Sequence, residues 1–127
     1  MRGIALIEAM VSILIFVTGI LGVVGLQSAM MRAQGAAKYR ADAAVLAGEL
    51  IGSMWSDSSN LAGYSSSTAA ACSHTPCAQW LAKVASTLPM GSAVIAADPV
   101  SGIATVNVSW SLPTDGTHSY VTTTAIR

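Results

Sequence analysis

The chain has 127 residues, 53% of them hydrophobic and only 9% charged, and its six basic and six acidic side chains cancel at neutral pH. So apolar a composition excludes one ordinary water-soluble domain, and an even charge balance without a basic cluster argues against nucleic acid or an anionic membrane surface as a partner. The apolar excess is gathered at the N-terminal end.

From Ala9 to Met31 no residue is charged. About 23 residues at 1.5 Å each make roughly 34 Å of helix, enough to cross a bilayer core, so residues 4–31 are expected to form a transmembrane span. A cleavable secretory signal is the alternative, with Arg2 as its basic start. The run is too long for a usual signal core, no convincing small-x-small cleavage site follows it, and the next segment continues as helix. Gly19, Gly22 and Gly25 recur at intervals of three within the span. They suit close packing of helices, and each also lowers helix propensity by about 0.8 to 1 kcal/mol relative to Ala.

Glu8 is the one acid in this apolar stretch. An ionised carboxylate in hydrocarbon costs a few kcal/mol unless it meets a cation. The residues alone leave two readings open: a docking charge that waits for a partner such as an amino terminus, or a glutamate that rests at headgroup level.

Beyond Met31 the helical pattern persists and becomes amphipathic over residues 32–56. Ala43, Ala44, Ala47, Leu50, Ile51, Met54 and Trp55 repeat at spacings of three, four and seven, while Arg32, Lys38, Arg40, Asp42 and Glu49 lie mostly elsewhere. Lys38 and Asp42 form an opposite-charge pair four apart, worth a few tenths of a kcal/mol. One continuous helix is therefore expected from Ile4 to about Trp55, on the order of 75 to 80 Å long.

The remaining segment, 57–127, reads as a small head. "SSNLAGYSSSTAAACSHTPC" is a low-complexity loop with little hydrophobic periodicity. Cys72 and Cys77 are the only cysteines, and in a chain with a membrane span they suit a disulfide outside the cytoplasm. Closing so short a loop is worth roughly 2 kcal/mol in the chain-entropy model, useful to a head with little core. The alternative is a metal held by Cys72, His74 and Cys77, which offers only three ligands. Thr75 as a cap and Pro76 at the first helical position open a short helix with Leu81, Val84, Ala85 and Leu88 on one face, stopped by Pro89 and Gly91. "SAVIAA" and "IATVNVSW" flank the turn "DPVSG", and Ala104, Val106, Val108 and Trp110 alternate with polar residues as in a half-buried hairpin. "SYVTTTAI" supplies a third strand whose Thr-rich pattern does not mark its buried face. The expected class is α+β: a long N-terminal helix packed against a small antiparallel β-sheet.

At this point the residues carry a resemblance. A short basic piece ending in Gly3, followed by an apolar helix with Glu8 as the fifth residue after that glycine, resembles the class III leader of type IV prepilins. "GILGVVGLQ", the helix ending near "GSMW", the two-cysteine loop, "QWLAKVASTLPMG" and "TVNVSW" resemble PilV-type minor pilins over nearly the whole chain. The resemblance implies the type IV pilin fold, with residues 1–3 as leader. It implies cleavage between Gly3 and Ile4 by a prepilin peptidase and N-methylation of Ile4, although Phe or Met is the more usual first residue. It also implies that Glu8 meets the N-terminal amine of a neighbouring subunit during assembly.

The implied function is that of a minor pilin without chemistry of its own, which joins a priming complex for pilus assembly and serves twitching motility or adhesion. Implied partners are other minor pilins, the major pilin, the prepilin peptidase, the inner-membrane assembly platform and membrane lipid, with no cofactor and no nucleic acid. The alternative is a minor pseudopilin of a type II secretion system. The implied location is the bacterial inner membrane, with the head in the periplasm, and the pilus or its tip after assembly. Only Arg2 precedes the span whereas Arg32, Lys38 and Arg40 follow it, so the positive-inside count points to the opposite topology. The resemblance and the Cys pair favour a periplasmic head. His74 and His118 fall in polar stretches rich in Ser, where chance proximity is expected, and no catalytic constellation is assigned.

Overall fold

A single helix, α1 (Arg2–Ser56), accounts for the first 55 described residues. The structure is a computed structural model that describes residues 2–68, 70–113 and 115–126. After α1 come a 3-10 helix (Ser58–Tyr64), α2 (Thr75–Thr87), and the strands β1 (Ser92–Asp98), β2 (Ile103–Leu112) and β3 (Gly116–Ala125). The chain is α+β, with a long N-terminal helix and a three-stranded antiparallel sheet in the order β1-β2-β3. It divides into two units, Met1–Ala37 and Lys38–Arg127.

The first unit is helix alone. Its described side chains are exposed almost throughout: Ile7, Leu14 and Phe16 stand 64%, 66% and 68% free. A helix apolar on every side has no buried face within its own unit, which is the property of a membrane span or of the centre of a helix bundle. The length and composition of this helix suffice to cross a membrane. The Thr18 hydroxyl is accommodated locally, since its Oγ1 donates to the Leu14 carbonyl at 2.7 Å.

The second unit has a core. Ala43, Leu46, Ala47, Leu50 and Met54 of α1 pack with Trp80 and Val84 of α2 and with Ile95, Val106 and Val108 of the sheet. The α1 stripe is narrower than its sequence suggests. Trp55 is half exposed while Leu46 is buried: Ala44, Ile51 and Trp55 each follow a buried residue by one position, about 100° around the helix, and so fall on the flank of the stripe. Burying Leu50 completely contributes about 1.5 to 3 kcal/mol, and truncating it to Ala would cost about 2 to 5 kcal/mol.

The stretch expected to be a plain loop contains the 3-10 helix. Leu61 and Tyr64 are buried there. At three residues per turn they share a face, so two apolar side chains among Ser, Ala and Gly suffice to dock the segment. The α2 start lies one residue earlier than expected: His74 is the cap, in extended conformation, and Thr75 is already helical. Pro76 in the first turn loses no hydrogen bond, because N–H groups there have no intrahelical acceptor.

The sheet is a meander in continuous register. Ile95 pairs with Val106 and Val108 with Tyr120. Asp98 shapes the first turn, accepting from the Val100 N–H at 2.9 Å and from the Ser101 hydroxyl at 2.6 Å, while Gly102 takes φ 69°. These donors hold the Asp98 carboxyl below its ordinary range, the Ser101 hydroxyl first. The second turn closes with Asp115 N–H on the Leu112 carbonyl and Gly116 at φ 78°. On β3, His118, Tyr120, Thr122 and Thr124 lie on the inner side and their neighbours face solvent. The outer side of β1 is covered by Ser65 and Ser66. Ser66 exchanges backbone hydrogen bonds with Ile95, and Ser65 Oγ donates to the Ala97 carbonyl.

Candidate functional site

Gly3, Ile4 and Glu8 all lie on the first turns of α1. With 3.6 residues per turn, Glu8 has Ile4 and Ala5 one turn before it and Val11 and Ser12 one turn after it. The carboxylate is thus ringed by apolar and small side chains. Among the described side chains it has no ion-pair partner. Ile4 is 71% exposed and Gly3 has open space around its α-carbon. Within its own unit the segment packs on no core, and a carboxylate among apolar side chains is costly in hydrocarbon without a cation beside it.

The second cluster lies within the other unit, at the end of α1. Asp57 N–H donates to the Ser53 and Met54 carbonyls, which fixes the aspartate just past the helix. Its carboxylate then accepts three side-chain hydrogen bonds. Asn60 Nδ2 reaches Oδ1 at 2.7 Å, His74 Nε2 reaches Oδ2 at 2.7 Å, and the Tyr64 hydroxyl donates to Oδ2 at 3.4 Å. The Asn60 amide is the main reason that the carboxyl sits below its usual range, followed by the His74 hydrogen bond and charge, against an opposing contribution from desolvation. The His74 ring leans on the Tyr64 ring at 5.0 Å.

Cys72 and Cys77 form a disulfide with their α-carbons 5.8 Å apart. Both sulfurs are consumed, so Cys72, His74 and Cys77 do not make a metal site, and His74 turns to Asp57 instead. A backbone bond holds the loop on the 3-10 helix, since His74 N–H donates to the Gly63 carbonyl. The arrangement is a clasp: a disulfide loop, a histidine–carboxylate hydrogen bond and a ring contact join the end of α1 to the start of α2.

His118 is separate. Its Nε2 meets Asp115 at 3.0 Å and its ring stacks on Trp110 at 5.8 Å. Neither histidine is hydrogen-bonded to a Ser, Thr or Cys side chain among the described residues. The grouping around Asp57 is the part that sequence reasoning missed. Its one sequence signal is Asn60 and Tyr64, spaced three and seven after Asp57, which a 3-10 turn folds back onto it. No family model, no curated protein and no solved structure matches this chain.

Proposed function

We propose that this chain is a minor type IV pilin of the PilV type, a structural subunit that joins other minor pilins in a priming complex and supports twitching motility or adhesion. The observation that carries the reading is Glu8, an acid without an ion-pair partner among the described residues, near the start of a helix whose first unit is apolar and exposed almost throughout. Such a residue raises the energy of the isolated subunit in lipid, and the energy falls when a neighbouring subunit brings a cation to it. The resemblance of Gly3 and the fifth-position Glu8 to a prepilin leader supports an amino terminus made by cleavage between Gly3 and Ile4 as that cation. The α+β unit with its disulfide clasp then forms the head, carried on the far side of the inner membrane, with the major pilin, the prepilin peptidase and the assembly platform as further partners.

Substituting Glu8→Ala while scoring surface pili and twitching motility tests the reading. Stable protein with loss of both is expected; unchanged piliation and motility would sink it. The mass of the mature chain tests processing separately. Loss of Met1 to Gly3 with gain of one methyl group on Ile4 is expected, and an intact leader would refute it.

A further inference from the structure

Strand β3 ends the sheet, and its outer side is bare. Ser111 directs its N–H to the Pro89 carbonyl at 3.0 Å, away from β3, and Ile126 directs its N–H back to Gly102 on the β2 side. Backbone groups alternate along a strand, so Gly116, His118, Tyr120, Thr122 and Thr124 bond to β2 while Thr117, Ser119, Val121, Thr123 and Ala125 turn N–H and C=O outward. Among the described residues none of those outward groups has a backbone partner. The opposite edge, β1, is closed by Ser65 and Ser66.

Long free edges are ordinarily guarded by Lys, Pro, a bulge or shortness. β3 has none of these guards. It runs ten residues in unbroken register with β2, and from Gly116 to Ile126 it carries no Pro and no Asp, Glu, Lys or Arg. The β-branched run Val121 to Thr124 adds strand propensity, and Val121 at the middle of the edge is 56% exposed.

We propose that β3 is a docking edge for β3 of a second copy of this chain, paired antiparallel about a two-fold axis with Val121 opposite Val121. Among two-fold antiparallel registers that set outward groups against outward groups, this one engages the whole edge: Thr117 faces Ala125 and Ser119 faces Thr123 of the second copy. The charge pattern fits a like partner, because a strand without charged side chains meets its own copy without repulsion. The Ser119 and Thr123 hydroxyls then face each other, as those of Thr105 and Thr123 already do across the β2–β3 pair at 2.9 Å. A contact confined to one edge is smaller than the roughly 1,200 Å² of a stable interface, so the pairing is concentration-dependent. It stands independently of the pilin reading, since it uses only the strand geometry of the second unit.

Full-length chain in its membrane carrying Val121→Cys, treated with a short bis-maleimide, tests the pairing against Val100→Cys, a turn position that is more accessible still at 95% exposed. Covalent homodimer at position 121 and little at position 100 is expected. Equal yields at the two positions would overturn the proposal, as would an adduct of Val121→Cys with a different polypeptide in place of the homodimer. Sedimentation of the full chain in detergent supplies a second measurement. Val121→Lys sets two like charges opposite each other and is expected to weaken self-association by about fivefold. Val121→Pro removes an outward N–H without touching the bonds to β2 and is expected to abolish it. Self-association unaffected by both variants would overturn the proposal.

Discussion

The indole N–H of Trp80 donates to the main-chain carbonyl of Leu46 at 2.8 Å, inside the core. The bond ties α2 to the middle of an α1 turn across 34 residues of sequence. Trp110 is the counterpart: it is equally buried, yet its Nε1 has no hydrogen-bond partner among the described residues. The two tryptophans therefore respond differently to loss of the N–H. Trp80→Phe forfeits a made hydrogen bond of about 1 kcal/mol as well as ring volume, whereas Trp110→Phe removes an unsatisfied donor that costs about 1 to 3 kcal/mol and offsets its lost volume. Urea unfolding of the full chain in detergent is expected to show a clear fall in midpoint for Trp80→Phe and little change for Trp110→Phe. Equal falls would contradict this account.

Acid should loosen the clasp around Asp57. The carboxyl is held below its ordinary value of 3.8 by Asn60 first, then by His74 and Tyr64. The folded chain binds this proton less readily than the unfolded chain, so the stabilisation is complete above pH 3.8 and disappears as the pH falls through the lowered folded value. Asp57→Ala is expected to be less stable than wild type at neutral pH, with the gap closing toward the acid limit. Thermal melts of both proteins across that range measure it, and a gap independent of pH would remove the carboxylate from the explanation.

Much of this architecture is legible in the sequence where one periodicity dominates. The uncharged run from Ala9 to Met31 and the alternation from Ala104 to Trp110 each allow one solution, and both elements stand in the structure. The 3-10 helix is not legible in that way. Only Leu61 and Tyr64 anchor it, and a pair three apart is too sparse to register as a helical stripe. The Asp57 clasp depends on that missed turn, because the helix end, the turn and the disulfide loop must all be placed before His74 reaches the carboxylate. Trp55 shows the reverse limit: its spacing fits the stripe, and only the placement of α2 and the sheet decides that its neighbour Met54 is the buried one.

Breaking the disulfide is expected to cost about 2 kcal/mol through chain entropy, since the loop from Cys72 to Cys77 is short. The loss should be local at first. Cys72→Ser with Cys77→Ser frees the loop that presents His74 to Asp57 and to the Gly63 carbonyl. Hydrogen exchange is expected to rise at His74 and Ala78, whose N–H groups donate to Gly63 and to His74, before it rises in the β2 strand. Uniform acceleration across the second unit would show that the disulfide supports the whole core instead.

Two glycines give opposite expectations for the same substitution. A β-carbon on Gly91 would lie 2.5 Å from the Val84 carbonyl oxygen and 2.9 Å from Leu88 Cβ. The first of these is backbone of α2, which cannot yield without disturbing the helix end, where Leu88 N–H donates to that same carbonyl. Gly91→Ala is therefore expected to destabilise by about 1 to 3 kcal/mol, in the range of other overpacked sites. Gly48 sits in α1 with nothing within 4 Å of a β-carbon. Gly48→Ala gains helix propensity and is expected to stabilise by about 0.5 to 1 kcal/mol. Paired urea titrations read both signs at once. A stabilising Gly91→Ala would mean that the α2 end gives way more easily than its hydrogen bonds imply, and a destabilising Gly48→Ala would mean that this face of α1 is covered by another molecule under the conditions of measurement.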